Sequence, residues 1–176
     1  PILVLACGMV GSRQGWAEAP YSNVPCKPLA LNTVAVPTSD PRLSVRIVPG
    51  LAQATPAPDV MRGEETQIAG FLGMRPGFDG VLCLPGTHTK WAEISAGEVV
   101  SFRTLMTGEM FALLSKKSIL AHSLGAGWDD AAFAQAVDDT LARPETLAAR
   151  LFAIRAADLL GEGDPAITQW EMNYAL

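Results

Sequence analysis

The sequence predicts an α/β fold with a parallel sheet, and three features carry that prediction. Residues 2–6, ILVLA, form a continuous apolar run, which is typical of a strand covered on both faces of a parallel sheet. A second run, VLCL at 81–84, leads into a segment whose side chains alternate in polarity. Beyond residue 106, apolar residues recur at helical spacing. The chain therefore combines strands with helices.

Each remaining element has its own local signal. LSVRIV at 43–48 predicts a strand, and WAEISAGEVVSF at 91–102 predicts a hairpin that turns at residues 95–97. Two glutamates open the predicted helix at 63–73 and a glycine closes it. Further helices are predicted at 107–116, 129–141 and 144–160.

Composition indicates a globular protein. Its 176 residues are 49% hydrophobic, which suffices for a sizeable core, and no run of apolar residues is long enough to cross a membrane. The apolar start lacks the basic flank of a secretion signal, so we expect a cytoplasmic protein with no membrane partner. A net charge of −5 argues against general attraction to nucleic acid.

The cysteines, the histidines and the first residue add three expectations. Cys7, Cys26 and Cys83 have no metal-type spacing, so we expect buried, reduced thiols. His88 and His122 are too isolated to predict a metal site. No methionine precedes the first strand, so we expect the chain to be part of a longer protein.

Two polar stretches could bind or activate a substrate. In CGMVGSRQGW, Arg13 could grip a carboxylate and Gln14 could bind hydroxyls, or Arg13 could simply pair with a nearby acid. In VMRGEETQ, Arg62 precedes Glu64 and Glu65, and a carboxylate there could act as a general base. Acidic residues are also common in a first helical turn because the helix dipole favours them.

The third stretch, LPGTHTKW, could bind an anion. Backbone N–H groups exposed at Gly86 form a small anion-binding concavity, which the hydroxyls of Thr87 and Thr89 and the ammonium of Lys90 could complete. It does not match the GxxxxGK[ST] phosphate loop, and Pro-Gly turns also join hairpins that have no such role.

Taken in order, GMVGSRQGW, PDVMRGEETQ and LPGTHTKW resemble the 2-dehydro-3-deoxygalactonokinase family, a branch of the sugar kinase, actin and heat-shock ATPase superfamily. The resemblance implies ribonuclease-H-like lobes with ATP and sugar between them. Residues 1–62 would be the remainder of the first lobe, with its sugar-acid segment, and residues 63–176 the start of the second, with its phosphate loop. The acidic-Gly-Thr loop and the glycine-rich adenosine segment of the family are absent, which implies an incomplete two-lobe kinase.

The resemblance also implies a role for each candidate residue. Related kinases carry a Gly-Asp pair, whose Asp is the catalytic base, some twenty residues before the phosphate loop. Glu64 holds the matching place, 22 residues before Gly86, with Glu65 as the fallback. The implied sugar-acid ligands are Arg13, Gln14, Arg62 and Glu65. The implied phosphate ligands are Gly86, Thr87, His88, Thr89 and Lys90.

The implied reaction is ATP-dependent phosphorylation of the terminal, C6, hydroxyl of 2-dehydro-3-deoxy-D-galactonate in D-galactonate catabolism. Mg²⁺ would arrive with ATP, with no metal ligand from this chain, and a homodimer is one option for assembly. Two other functions stay open: a non-catalytic ligand-binding or assembly module with an actin-like fold, and a thiol hydrolase that uses Cys7 or Cys83.

Overall fold

A computed structural model describes residues 1–29, 32–125 and 129–161. The chain divides into two compact units, Pro1–Leu105 and Met106–Leu176. Every candidate site residue belongs to the first unit. The part of the predicted second lobe from residue 162 onward lies outside the described residues.

The first unit contains nine strands and one α-helix among its described residues. The strands are β1 Ile2–Ala6, β2 Ser22–Asn23, β3 Val34–Val36, β4 Leu43–Ile47, β5 Leu51–Gln53, β6 Asp59–Met61, β7 Gly80–Leu84, β8 Thr89–Ser95 and β9 Glu98–Leu105. The helix, α1, is Glu64–Met74. These bounds confirm the predicted strands at 2–6 and 43–48 and the predicted helix at 63–73.

The first sheet has the strand order β1-β4-β3, and β1 runs parallel to β4 as predicted. Its core contains Val36, Val45 and Ile47 together with Ala19. The prediction that residues 2–6 are covered on both faces is wrong, since the first four are exposed. Among the described residues, the strand lies at the edge of its sheet and has a hydrogen-bonded neighbour strand on one side only.

The other two sheets share one core. Their strand orders are β2-β5-β6, with β2 parallel to β5, and β7-β8-β9, which is antiparallel throughout. The shared core consists of Leu51, Met61, Ile68, Ala92, Ile94, Val99 and Phe102. Residues from both sides of the predicted lobe boundary at 62/63 therefore pack within one unit, and the boundary itself stays a prediction.

A partly buried polar network joins β6 to β8 and β9. The Asp59 carboxylate accepts hydrogen bonds from the Thr104 backbone N–H (2.7 Å) and hydroxyl (2.6 Å). The Lys90 ammonium donates to Thr104 Oγ1 (2.8 Å) and to the Val60 carbonyl (3.0 Å). Buried polar groups are stable only when they are paired, so this network fixes the spacing of the three strands.

The described part of the second unit is helical, and its helices confirm the predicted pattern. They are α2 Thr107–Lys117, α3 Asp130–Ala142 and α4 Leu147–Leu160. Asp129 caps α3 by accepting from the Ala132 N–H, and Gly161 ends α4 in the left-handed conformation. Pro144–Thr146, predicted as the first turn of the last helix, is a separate 3-10 turn. Leu120 and Ile154 form the centre of this unit's core.

The cysteine prediction is wrong for two of the three thiols. Cys7 and Cys83 are exposed, and Cys26 is partly buried. Cys83 lies opposite Trp91 in the β7–β8 pairing, and both side chains are exposed. Apolar content alone did not reveal that β7 has one partly buried and one exposed face, because the residues on both faces are apolar.

The predicted hairpin is confirmed, with β8 and β9 joined at Ala96 and Gly97. Both residues have positive φ, 51° and 77°, which is the backbone of a type I′ turn.

Alanine is strained in this region, whereas asparagine tolerates it. Replacing Ala96 by Asn should therefore raise the free energy of unfolding by about 0.5–1 kcal/mol in denaturant titrations. Ser95→Asn, in the adjacent strand position, is the control, and equal effects of the two variants would contradict the prediction.

Candidate active site

The loop after β1 forms the first of two adjoining cavities. A 3-10 turn, Gly8–Gly11, ends the strand and leads to Arg13 and Gln14. The cavity has a volume of about 310 Å³. Its lining residues are Met9, Ser12, Arg13, Gln14, Glu18, Tyr21 and Arg62. The structure thus brings together three residues that were predicted to bind the sugar acid.

Arg13 lies at the open side of this cavity. Its side chain is 83% exposed, and its Nε lies 3.6 Å from Glu18 Oε1. This is the local pairing that was the alternative interpretation of Arg13. An exposed ion pair of this length contributes little, because water and salt screen it. The guanidinium therefore remains available to an anionic ligand.

Arg62 lies between β6 and α1 and is held differently. Its guanidinium carbon lies 4.2 Å from the centroid of the Tyr21 ring, and its Nη2 donates to the Ala19 carbonyl at 2.8 Å. Its Nε and Nη1 are buried and have no hydrogen-bond partner among the described residues. The cation is thus stabilised by an aromatic face and one carbonyl.

Gly63 makes the sharp turn from β6 into α1. Its φ of 110° is accessible to glycine and is strained for other residues. The turn lets the two following glutamates reach back to backbone donors. Arg62 N–H donates to Glu64 Oε2 at 3.0 Å, and Gly63 N–H donates to Glu65 Oε2 at 2.6 Å. Both carboxylates therefore satisfy donors at the start of the helix.

The two glutamates differ in burial. Glu65 is fully buried, and burial raises the pKa of its carboxyl, although hydrogen bonds from Gly63 and Thr66 oppose the shift. Glu64 is partly exposed and lines the second cavity. Position therefore favours Glu64 over Glu65 as the group that meets a substrate, and the predicted substrate contact of Glu65 does not fit its burial.

The second cavity brings Glu64 and the glycine turn together. Its volume is about 360 Å³. The lining residues are Met9, Arg62, Gly63, Glu64, Gln67, Leu84, Pro85, Gly86, Thr87 and His88. It shares Met9 and Arg62 with the first cavity, so the two adjoin. The candidate base and three candidate phosphate ligands thus face one space.

The turn after β7 leaves room for a ligand. A methyl group added at Gly86 would meet no protein atom closer than the His88 carbonyl oxygen, at 4.0 Å. The Gly86 N–H lies 3.4 Å from Thr89 Oγ1, and Thr89 is buried. Thr89 therefore closes the turn from inside, whereas Thr87 and His88 lie on the cavity side.

Lys90 does not fit its predicted contact with phosphate. Its side chain shares the buried face of β8 with Ala92 and Ile94. Both contacts of its ammonium are internal, to the Val60 carbonyl and the Thr104 hydroxyl. The sequence could not show this, because the same sequence pattern arises whether a lysine beside such a turn points toward a bound phosphate or into the protein interior.

Several residues that line the two cavities were not predicted as site residues, among them Gln67, Tyr21 and Met9. Gln67 lies one helical turn after Glu64, and that i, i+3 spacing could have revealed it. Tyr21 and Met9 had no such signal, because Tyr21 reaches the site through the folding of the loop and Met9 is one apolar residue among many. A wider groove of about 700 Å³, beside Trp91 and Arg103, contains none of the predicted site residues.

Neither a metal cluster nor a membrane-spanning helix is found in the described part of the chain. No three His, Cys, Asp or Glu side chains there are grouped so that they could hold a metal ion. None of the described helices has both the length and the apolar character needed to cross a membrane.

Comparison with known proteins decides the family. A family profile described as 2-keto-3-deoxy-galactonokinase matches residues 1–172. The chain belongs to this family. The resemblance carried by the three sequence motifs is thereby confirmed, and the mixed α/β class agrees with the structure of a relative.

Two curated relatives of this 2-keto-3-deoxy-galactonokinase family member agree with this assignment. It is 40% identical over 166 residues to the probable 2-dehydro-3-deoxygalactonokinase DgoK1 of Rhizobium meliloti (strain 1021), covering 89% of this chain and 53% of the relative. It is 36% identical over 160 residues to the 2-dehydro-3-deoxygalactonokinase of Escherichia coli (strain K12), covering 90% of this chain and 53% of the relative.

A crystal structure from Sinorhizobium meliloti, provisionally assigned as a 2-dehydro-3-deoxygalactonokinase, superposes with a TM-score of 0.92 at 37% identity. The match covers 99% of this chain and 59% of that one. The chain thus spans about half the length of the curated relatives that it matches.

The buried carboxyl of Glu65 predicts a pH-dependent stability. Because burial raises its pKa from the ordinary value of 4.5, the folded state keeps this proton to higher pH than the unfolded state does. Its contribution to stability is therefore full below pH 4.5 and is lost as the pH rises through the raised pKa.

Glu65→Gln removes this titration and keeps an oxygen for the Gly63 N–H. Its free energy of unfolding relative to the unsubstituted protein should increase as the pH rises from about 4 to about 7. Denaturant titrations across that range measure the difference, and Glu145→Gln corrects for the loss of one negative charge. A difference that stays constant with pH would contradict the prediction.

Proposed function

We propose that the protein phosphorylates the C6 hydroxyl of 2-dehydro-3-deoxy-D-galactonate, with MgATP as phosphoryl donor. The observation that supports this most directly is that Glu64 lines one cavity with Gly86, Thr87 and His88, and that this cavity adjoins the one lined by Arg13 and Gln14. A phosphoryl-transfer site for a sugar acid needs a base, a phosphate-binding turn and a carboxylate-binding group side by side.

Glu64 is the proposed base. Its carboxylate takes the proton of the C6 hydroxyl as that oxygen bonds to the γ-phosphorus of ATP. The bond from phosphorus to the β–γ bridging oxygen breaks, and ADP leaves with that oxygen. The hydrogen bond from the Arg62 N–H to Glu64 Oε2 fixes the direction of the carboxylate. Positioning of this kind is a large part of catalysis in phosphoryl transfer.

The turn at Gly86–His88 is the proposed phosphate site. The open space over Gly86 lets a phosphoryl group approach the backbone closely, and the Thr87 hydroxyl and the His88 side chain lie on the same cavity. Donors placed there would stabilise the charge that develops on the phosphoryl oxygens. Mg²⁺ bound to ATP neutralises phosphate charge, and no residue of this chain is assigned to it.

Arg13 and Gln14 are the proposed ligands of the carboxylate and the neighbouring hydroxyls. The Arg13 guanidinium is largely exposed at the open side of its cavity, and a planar guanidinium binds a carboxylate in a bidentate manner. In a chain with net charge −5, a local cation is needed to attract an anionic substrate.

We also infer a ribonuclease-H-like lobe of the actin and sugar-kinase type, acting in the cytoplasm, where ATP is supplied. The support is the antiparallel order β7-β8-β9 followed by α2, with the phosphate turn between the first two of these strands. This is the beginning of the βββα pattern that such a lobe requires.

A coupled assay of ADP formation on the full-length gene product tests the function. The panel contains 2-dehydro-3-deoxygalactonate, its C4 epimer and a sugar acid without the keto group. ATP consumption that depends on the first compound supports the proposal. Tight binding of the acid without turnover would favour the non-catalytic module instead.

Replacement of the base separates chemistry from binding. Glu64→Gln keeps the shape of the side chain and loses the proton acceptor, so kcat should fall about a hundredfold or more with little change in KM for the sugar acid. Glu65→Gln is the matched control and should keep most of the turnover. If the two variants exchanged these behaviours, the base would be Glu65.

A methyl group at the phosphate turn should block the reaction without disturbing the fold. The methyl group of Gly86→Ala would meet no protein atom closer than 4.0 Å, and it would occupy the space assigned to the phosphoryl group. We expect kcat/KM for ATP to fall about tenfold or more, since small misplacements of reacting groups are costly. The unfolding temperature should stay unchanged, and full activity in this variant would remove the turn from the phosphate site.

A further inference from the structure

We propose that Arg62, supported by Tyr21, is a positioning residue that aligns the sugar-acid cavity with the catalytic base. This inference rests on the proposed function and gives Arg62 a task other than the substrate contact that the sequence predicted. Arg62 lines both cavities, and its side chain and main chain contact different parts of the site.

The side chain of Arg62 contacts the loop of residues 12–21, the substrate loop, which carries Arg13 and Gln14. Its Nη2 donates to the carbonyl of Ala19, which lies 43 residues earlier in the sequence, at 2.8 Å. Its guanidinium lies over the Tyr21 ring, 4.2 Å from the centroid. Ala19 and Tyr21 follow Arg13 and Gln14 in the same loop, so this clamp restrains the segment that carries the proposed carboxylate ligands.

The main chain of Arg62 holds the base. Its N–H donates to Glu64 Oε2 at 3.0 Å, across the turn at Gly63. A shift of Arg62 would therefore move the loop and the carboxylate relative to each other. In phosphoryl transfer, a misplacement of about 1 Å is enough to cost orders of magnitude in rate.

Two glycines make room for this clamp. A methyl group at Gly11 would lie 2.9 Å from Arg62 Nη1 and 2.7 Å from Ile47 Cγ2. A methyl group at Gly50 would lie 2.8 Å from Tyr21 Cε1 and 2.4 Å from the Met61 carbonyl oxygen. The guanidinium and the ring therefore occupy space that a larger residue at either glycine would fill.

The nitrogens of Arg62 argue against a direct bond to substrate. Nη2 is engaged by Ala19, whereas Nε and Nη1 are buried and without an acceptor among the described residues. A ligand in either cavity cannot reach these two atoms unless the side chain moves. The positive charge of Arg62 would still favour an anion in either of the two cavities that it lines.

Kinetics of four variants in the full-length enzyme test the proposal. Tyr21→Phe keeps the ring face and should retain a clearly higher kcat than Tyr21→Leu, which should lower kcat about tenfold with KM for ATP unchanged. Arg62→Ala should lower kcat about a hundredfold, and millimolar guanidinium, but not sodium or ammonium chloride, should restore part of it. Arg13→Ala should instead raise KM for the sugar acid.

A second measurement separates positioning from contact. Each variant is assayed with the sugar acid and with the analogue whose carboxyl is reduced to an alcohol. A direct carboxylate ligand loses its preference for the acid when it is replaced, as expected for Arg13. Arg62→Ala should keep that preference while kcat falls for both compounds.

Three results would overturn the proposal. Loss of the preference for the acid in Arg62→Ala would make Arg62 a substrate ligand. Equal kcat for Tyr21→Leu and Tyr21→Phe, with a lower unfolding temperature for the former, would make the stack purely structural. If the unsubstituted enzyme had no activity on the sugar acid, the proposed function itself would fall. This result differs from failure of the positioning role, which is judged from variants of an active enzyme. If Arg62→Ala failed to fold, the comparison at Tyr21 would decide.

Discussion

The conformation of a single residue, Gly63, sets the arrangement of the site. With φ at 110°, the chain turns sharply out of β6 and begins α1 at the next residue. The turn places the Arg62 side chain toward the substrate loop and the Glu64 side chain on the second cavity. A residue with a side chain would be strained in this conformation, and its Cβ would also lie 3.4 Å from Gly8 Cα. Helix α1, which begins at Glu64, then fixes the position of this residue.

The phosphate turn is tied to the same point through the sheet. Lys90 is the second residue of β8, directly after the turn, and its ammonium donates to the carbonyl of Val60, two residues before Arg62. Thr104 and Asp59 complete the network from β9 and β6. The proposed base and the proposed phosphate site are therefore connected through one network of partly buried hydrogen bonds. This network explains how residues 22 positions apart in the sequence can face one cavity.

The sequence was informative where a residue's role depends on its neighbours in the chain. The hairpin at residues 95–97 and the helices followed from local patterns, and the three motifs in order identified the family. It was uninformative where the role depends on direction. Glu64 and Glu65 are adjacent and chemically equivalent in sequence, yet one lines a cavity and the other is fully buried. Tyr21 gained its place only because the loop folds back toward Arg62.

The internal position of Lys90 has a consequence for functional surveys of this family. A systematic alanine scan scored only by activity would place Lys90 among the ligands of ATP, since removing its ammonium would disturb the turn that precedes it. Its partners are nevertheless a backbone carbonyl and a threonine hydroxyl inside the protein. Such a scan records a lost ligand contact and a lost structural support alike as a fall in activity. Only a parallel measure of nucleotide affinity or of folding would tell a support from a ligand.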